Sequence, residues 1–233
     1  MGARQAWARR CSYWLEPKNW LIVTVVLIGW HADGWAGIGW GLLAALFTAV
    51  VPTLFISYGI RHGRWSDRNV GARRPRLAVL AFSAASVAAG LILLATGGAP
   101  HLLTGYLAFM LASVALLAAV TTVWKISIHC AVASGSVVIL ALSFGPLVWP
   151  AYALVVLLGW SRVVLKDHTV AQVVAGAVLG AGAAAVAYAV LVSLASANCG
   201  CGAAVLPDRT TARTTARGQD AWTAPMIRSA SPA

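Results

Sequence analysis

The sequence predicts an all-α fold, a polytopic bundle of transmembrane helices with about six to seven spans. Of its 233 residues, 60% are hydrophobic and only 10% are charged, whereas soluble domains carry about a quarter charged residues. Long stretches contain hardly any charge, and about 20 apolar residues suffice for a helix to cross a bilayer. These stretches do not alternate with a period of two, which disfavours a membrane β-barrel.

The first half of the chain is predicted to hold a helical hairpin and a basic loop. A polar N-terminal segment, residues 1–18, precedes a hydrophobic region from residue 20 to residue 60, which His-Ala-Asp-Gly interrupts at 31–34. The interruption indicates a hairpin of two spans. If this hairpin does not cross the membrane fully, the count of spans falls from seven to six. The basic loop 61–76 follows.

The second half is predicted to hold five further spans. They are expected near 76–97, 102–123, 130–144, 148–164 and 169–195. Two short polar segments, 124–129 and 161–172, separate them, and with the loop 61–76 they form three polar connections. The tail 203–233 is rich in Thr, Arg, Ala and Ser and is predicted to be disordered, which leaves residues 19–202 as the transmembrane domain.

All three polar connections are predicted to emerge on one side of the membrane, because two spans separate each from the next. The connections on the other side contain no Lys or Arg. By the positive-inside rule, we expect the side of the polar connections to be the cytoplasmic face of the cell membrane. The basic residues on that side are Arg61, Arg64, Arg68, Arg73, Arg74, Arg76, Lys125, Arg162 and Lys166.

The charged residues limit the chemistry that this face can perform. The net charge of +11 is compatible with nucleic acid, anionic lipid or an anionic substrate, and its position at the membrane edge argues against a nucleic-acid partner. There are six acidic residues, of which Asp67 and Asp167 lie in the polar connections and are expected to pair with arginines. Because a two-metal phosphotransfer site needs several carboxylates, magnesium-dependent chemistry is disfavoured and no cofactor is predicted.

Histidine, serine, arginine and lysine remain, and these residues suit a phosphate group. A guanidinium group can donate two parallel hydrogen bonds to phosphate oxygens, hydroxyl groups add further donors, and histidine supplies a nucleophile or an acid. His168 and Gln172 are four residues apart, so at the start of a helix Gln172 can orient the imidazole. Ser127 and His129, two apart, converge only in a turn or at a helix start.

Three segments carry a family resemblance. The third connection reads Ser161-Arg-Val-Val-Leu-Lys-Asp-His168-Thr-Val-Ala-Gln172, the second contains Ser127-Ile-His129, and the first contains Arg68-Asn-Val-Gly-Ala-Arg-Arg74-Pro75. In order and spacing, the chain resembles the type-2 phosphatidic acid phosphatase superfamily of membrane lipid phosphatases. The family signature is Lys-x6-Arg-Pro, then Pro-Ser-Gly-His, then Ser-Arg-x5-His-x3-Asp.

The resemblance implies a role for each matching residue. His168 would attack phosphorus and form a phosphohistidine, His129 would protonate the departing alcohol oxygen, and Gln172 would orient His168. The residues that would bind the phosphate are Arg68, Arg74, Lys125, Ser127, Ser161 and Arg162. Ser161 is also expected to support its own loop.

The chain departs from the signature at several positions. Asp67 stands where the family has lysine, Arg68 is one residue late, and Lys125 is the candidate substitute from the next connection. Isoleucine replaces both the proline and the glycine of the second part. Gln172 replaces the aspartate that holds the attacking histidine, and the analogous Asp-to-Asn change in a serine protease costs about 10⁴ in rate. Arg61, Arg64 and Arg76 are interpreted as membrane-boundary or lipid-headgroup contacts.

The predicted function is that of a metal-independent membrane phosphatase that hydrolyses a lipid-linked phosphate. The lipid is a polyprenyl or glycerolipid phosphate or diphosphate, and the bilayer and this lipid are the predicted partners. A catalytically weakened lipid-phosphate binder or transporter is the alternative, and a membrane phosphotransferase is a third. Gly176 and Gly180 in the last span have a small-xxx-small spacing, which packs helices within one chain or forms the seam of a homodimer.

Overall fold

A computed structural model describes residues 2–64 and 73–200, with the side chains of 73, 74 and 194–200 left out. The described part of the chain is helical and contains no β-strand, which confirms the all-α prediction. The described side chains belong to one compact unit. The predicted disordered tail, 203–233, lies outside the described residues.

Eight α-helices follow one another along the described chain. They are α1 (Ala3–Trp14), α2 (Pro17–Ala45), α3 (Val51–Arg61), α4 (Arg73–Thr96), α5 (His101–Val123), α6 (Ile128–Phe144), α7 (Tyr152–Val164) and α8 (Val170–Gly200). A π-helical turn, Leu46–Val50, joins α2 to α3, and a 3₁₀ segment, Pro146–Ala151, precedes α7.

The helix α2 folds back on itself at the predicted interruption. Asp33 leaves the helical region with φ −153°, and Gly34 adopts φ +53°, a left-handed conformation that favours glycine. Residues 17–32 and 35–45 then pack antiparallel with their backbones in contact, because a Cβ atom on Gly29 would clash with the carbonyl oxygen of Gly37. The predicted hairpin is therefore present.

Five helical stretches of the described chain are long and apolar enough to cross a membrane. They are Ala3–Arg61, Pro75–Thr96, His101–Val123, Pro146–Val164 and Val170–Ser193, and Ile128–Phe144 is a shorter apolar helix. The first stretch contains the hairpin at 33–34. The polytopic helix bundle that the sequence predicts is confirmed.

The helix α6 lies at the centre of the bundle, and most of its side chains are buried. The N-terminal half of α8 packs closely against it, since a Cβ atom on Gly176 would clash with the carbonyl oxygen of Ser127, and one on Gly180 with that of Ala131. The small-xxx-small pair of α8 therefore packs helices within the chain.

The polar N-terminal segment contributes a packed element. The helix α1 contacts α7 through a buried face that includes Ala8 and Ser12. The chain then turns at Leu15 and enters α2 at Pro17, a first-turn position that suits proline because its missing N–H has no helical partner there.

Candidate functional site

One cavity collects polar side chains from several helices. Arg76 of α4, His129 of α6, Arg162 of α7 and His168 between α7 and α8 all line a cavity of about 230 Å³, together with Lys18 at the start of α2. These residues come from the same end of the bundle, where α7 ends and α4, α6 and α8 begin. Because each lies at a helix terminus, the bundle brings together residues far apart in the sequence.

The cavity continues between the helices, away from its basic end. Apolar side chains of α4, α5 and α8 line this part, and a few hydroxyl groups interrupt them. The lining includes Val79, Leu80, Phe109, Met110, Leu117 and Leu179. An apolar space that ends in basic groups matches an amphipathic ligand with an anionic head group.

The start of α8 orients His168. The Nδ1 atom of His168 is 3.2 Å from Oε1 of Gln172, as the spacing of four residues predicts. Since the amide oxygen can only accept, Nδ1 carries the proton, and Nε2 keeps its lone pair for attack. Burial, with additional repulsion from the charges of Arg162, Lys125 and Arg76, lowers the pKa of His168 to about 4. The imidazole is therefore neutral near pH 7.

Gln172 has a second function that the sequence analysis missed. Its Oε1 also accepts a hydrogen bond from the backbone N–H of Thr169 (3.1 Å), and Thr169 Oγ1 accepts one from the N–H of Gln172 (3.3 Å). This reciprocal pair is a capping box, for which Thr-x-x-Gln is the sequence signal. The same oxygen atom of Gln172 thus caps the start of α8 and orients the imidazole of His168.

His129 reaches the cavity because α6 begins just before it. Ser127 caps this helix, its Oγ accepting a hydrogen bond from the N–H of Cys130 at 3.4 Å. The N–H of Ser127 donates to the carbonyl oxygen of Gln172 at 3.1 Å, which ties the starts of α6 and α8 together. His129 is close enough to Arg162, His168 and Arg76 to interact with them electrostatically.

Arg162 is the most deeply buried of the cations that line the cavity, with 1% of its surface exposed. Its Nη2 forms an ion pair of 3.0 Å with Oδ2 of Asp167, which confirms that Asp167 pairs with an arginine. Its Nη1 donates to Ser12 Oγ at 2.9 Å. Ser161, the neighbouring residue, donates to the carbonyl oxygen of Leu158 at 2.7 Å and is completely buried, so its hydroxyl supports the end of α7.

Lys125 holds the loop that carries His168. Its Nζ donates to the carbonyl oxygen of Asp167 at 3.0 Å. The neighbouring Lys166 is the only non-glycine residue of the described chain with a positive φ, 60°, so the backbone is strained just before His168. Lys125 and Ser127 stand beside the cavity, whereas Arg76, His129, Arg162 and His168 line it.

Arg76 is a site residue that the sequence analysis assigned to the membrane boundary. It is 6% exposed, lines the cavity and donates a hydrogen bond to the carbonyl oxygen of Ile126. The available signal was its position in the first turn of a span, directly after Arg74-Pro75. Arg68 and Asp67 lie outside the described residues, as does the side chain of Arg74.

The described residues contain no group of three or more His, Cys, Asp or Glu side chains that could hold a metal ion. The donors around the cavity are cationic or neutral, and two carboxylates beside it are paired with lining cations, that of Asp167 with Arg162 and that of Glu16 with Lys18. Such a donor set fits an anion and does not fit a divalent cation.

Residues 119–194 match the sequence model of the PAP2 superfamily. The matched segment includes the second and third parts of the signature and confirms the resemblance to the type-2 phosphatidic acid phosphatase superfamily. It supports a phosphatase-type function on a lipid phosphate in general. No curated protein and no solved structure matches the chain.

Proposed function

We propose that this protein is a metal-independent phosphatase that hydrolyses a lipid-linked phosphate through a phosphohistidine intermediate. The observation that carries the proposal is one cavity whose basic end holds two arginines and two histidines and whose remainder is apolar. The phosphate of a polyprenyl or glycerolipid phosphate or diphosphate occupies the basic end, and its hydrocarbon chain occupies the apolar part.

In the first step, Nε2 of His168 attacks phosphorus. The bond from phosphorus to the lipid oxygen breaks, and its electron pair stays on that oxygen, which takes a proton from the imidazolium form of His129. The negative charge of the bound phosphate stabilises this form of His129. The guanidinium groups of Arg162 and Arg76 stabilise the charge on the phosphoryl oxygens. Because Nδ1 of His168 is bonded to Gln172, the imidazole presents the tautomer that this attack requires.

In the second step, water attacks the phosphohistidine. His129, now neutral, removes a proton from the water, and the P–N bond breaks with its electron pair returning to Nε2. Inorganic phosphate is released, and neutral His168 and protonated His129 are regenerated. The phosphate-binding set that the resemblance implies also includes Arg68, Arg74, Lys125, Ser127 and Ser161. The contacts of Lys125, Ser127 and Ser161 favour a supporting role for these three residues.

A second candidate function is a lipid-phosphate binder or transporter with weak catalysis. Gln172 favours this alternative, because an amide oxygen accepts the Nδ1 proton and cannot stabilise a positively charged imidazole as a carboxylate does. Gln172→Asp tests this point directly. If the protein is a slow phosphatase, the substitution should raise kcat by about tenfold or more, whereas a pure binder should release no phosphate with either side chain.

The decisive experiment measures phosphate release from polyprenyl and glycerolipid mono- and diphosphates in excess EDTA. We expect the native protein to release phosphate and His168→Ala to lose at least about a thousandfold in rate. His101→Ala, which changes an exposed histidine at the start of α5, is the matched control and should retain full activity. Full activity of His168→Ala would reject the mechanism.

A second substrate separates the roles of the two histidines. The loss in His129→Ala should be about 10²- to 10⁴-fold for an alkyl phosphate, whose leaving group needs a proton. It should be much smaller for p-nitrophenyl phosphate, whose leaving group departs unprotonated. Equal losses for both substrates would show that His129 does not act as the general acid.

A further inference from the structure

The N-terminal helix α1 contacts the proposed phosphate site, although the sequence places it outside the transmembrane domain. Nη1 of Arg162 donates a hydrogen bond of 2.9 Å to Oγ of Ser12. Ser12 is 8% exposed and Arg162 is 1% exposed, so solvent does not compete for this contact. The bond lies where α1 packs against α7.

Two contacts on different nitrogen atoms define the orientation of the Arg162 guanidinium. Nη1 is bonded to Ser12 and Nη2 is paired with Asp167 at 3.0 Å. Since the group is planar and rigid, holding both terminal nitrogens fixes its plane.

On the buried face of α1, a single side chain can accept a hydrogen bond from the Arg162 guanidinium. Ala8 and Ser12 are one helical turn apart and are the two buried residues of α1. Ala8 contributes only packing, whereas Ser12 contributes a hydroxyl group. The other side of the helix is exposed and carries Arg9, Arg10 and Trp14.

We propose that Ser12 is a positioning residue of the phosphate site and that α1 is therefore part of that site. Ser12 holds the Arg162 guanidinium in the plane in which it meets the phosphoryl oxygens. The proposal rests on the proposed function of the cavity. Without the Ser12 hydroxyl, the guanidinium loses the contact that holds Nη1, and part of the ordering of Arg162 must then be supplied when the anion binds.

The test measures the binding of orthovanadate and of inorganic phosphate to the full-length protein in detergent, by calorimetry. We expect Ser12→Ala to weaken orthovanadate binding about tenfold, because the Arg162 side chain must then be ordered when the anion binds. Ser12→Thr, which keeps the hydroxyl, should restore most of the affinity. Thermal unfolding without ligand is measured for each variant to separate binding from stability.

Two control variants separate positioning from packing. Ala8→Gly loosens the same face of α1 and leaves the hydrogen bond in place, so it should lower thermal stability with less than a twofold change in orthovanadate affinity. Ser193→Ala removes an exposed hydroxyl of α8 that donates to the carbonyl oxygen of Ala189 in the same helix. This variant should change neither thermal stability nor orthovanadate affinity.

A double-mutant cycle with Arg162→Ala decides whether Ser12 acts through Arg162. In that background, Ser12→Ala should have no further effect on orthovanadate binding. Native affinity in Ser12→Ala, or an equal loss in both backgrounds, would overturn the proposal. If the native protein hydrolyses a lipid phosphate while Ser12→Ala binds orthovanadate normally, the positioning role alone is rejected. If no lipid phosphate is hydrolysed, the proposed phosphatase activity is rejected, and the cycle still tests Ser12.

Discussion

At the start of α8, one amide oxygen accepts two hydrogen bonds. Oε1 of Gln172 bonds to Nδ1 of His168 and to the N–H of Thr169. An aspartate at this position is one methylene shorter and carries a charge, so it would support the imidazole more strongly and the cap differently. Gln172, which stands where the family signature has aspartate, therefore keeps the orientation of His168 but does not stabilise a positive charge on it. We expect catalysis to be slower than with a carboxylate at this position.

The lowered pKa of His168 leads to a prediction for the pH dependence of catalysis. Burial and the neighbouring cations lower this pKa from its ordinary 6.5 to about 4, so His168 remains a neutral nucleophile well below pH 6. We expect kcat/KM, corrected for ionisation of the substrate, to fall on the acid side near pH 4. The measurement is kcat/KM between pH 3.5 and 8, which reports groups of the free enzyme.

A variant of Lys125 provides the control for this assignment. The charge of Lys125 contributes to the lowering, so Lys125→Ala should move the acid limb to higher pH. An acid limb near pH 6.5 in the native protein would contradict the prediction.

The lowered pKa of His168 also affects the stability of the fold. The unfolded chain takes up a proton on His168 as the pH falls below 6.5, whereas the native protein does so only near 4. The native state thus loses stability between these two values.

At the scale of elements, two glycines set the distance between α6 and α8. Neither Gly176 nor Gly180 has room for a Cβ atom, because the carbonyl oxygens of Ser127 and Ala131 occupy that space. The same approach allows the N–H of Ser127 to donate to the carbonyl oxygen of Gln172. The contact between these helices therefore places His129 relative to His168, as well as stabilising the bundle.

We predict that Gly176→Ala separates the starts of α6 and α8. Overpacking of this kind costs about 1–3 kcal/mol of stability, and it would also change the position of His129 relative to His168. The midpoint temperature of thermal unfolding and kcat should both decrease. The matched control is Gly182→Ala in the same helix, where a Cβ atom meets nothing within 4 Å; it should be neutral or stabilising, since alanine favours a helix. Unchanged activity in Gly176→Ala would contradict the role of this packing.

At the scale of the whole molecule, the bundle has one basic end and one end with few charges. The chain enters α2 at Pro17 and leaves α3 at Arg61 on the basic end, and the polar residues of the cavity lie there as well. The positive-inside rule associates such an end with the cytoplasm. A cytoplasmic site would act on lipid phosphates made in the inner leaflet.

Orientation is tested with single cysteines in a variant whose four native cysteines are changed to serine. His62 and His101 are exposed and lie at opposite ends of the bundle. With a membrane-impermeant maleimide on intact cells, His101→Cys should be labelled, and His62→Cys should be labelled only after the membrane is permeabilised. The reverse pattern would place the site on the outer face and point to outer-leaflet substrates.

Much of the fold and part of the site follow from local patterns in the sequence. Apolar runs of the right length predict the spans, and the break at 31–34 predicts the hairpin. The spacing of four between His168 and Gln172 predicts their hydrogen bond, because it depends only on helix geometry. The positions of Arg76 and Ser12 could not be predicted in this way, since each depends on which helices are neighbours in the bundle.

By itself, the sequence predicted a helix bundle in a membrane and several of the residues around its cavity, because hydrophobicity and spacing act along the chain. Only the tertiary structure decided which cations share the cavity. Arg76 reaches it from α4, whereas Lys125 turns to the backbone of Asp167. It also decided that α1 supports Arg162. These contacts join residues distant in the sequence, and their geometry depends on the packing of whole helices.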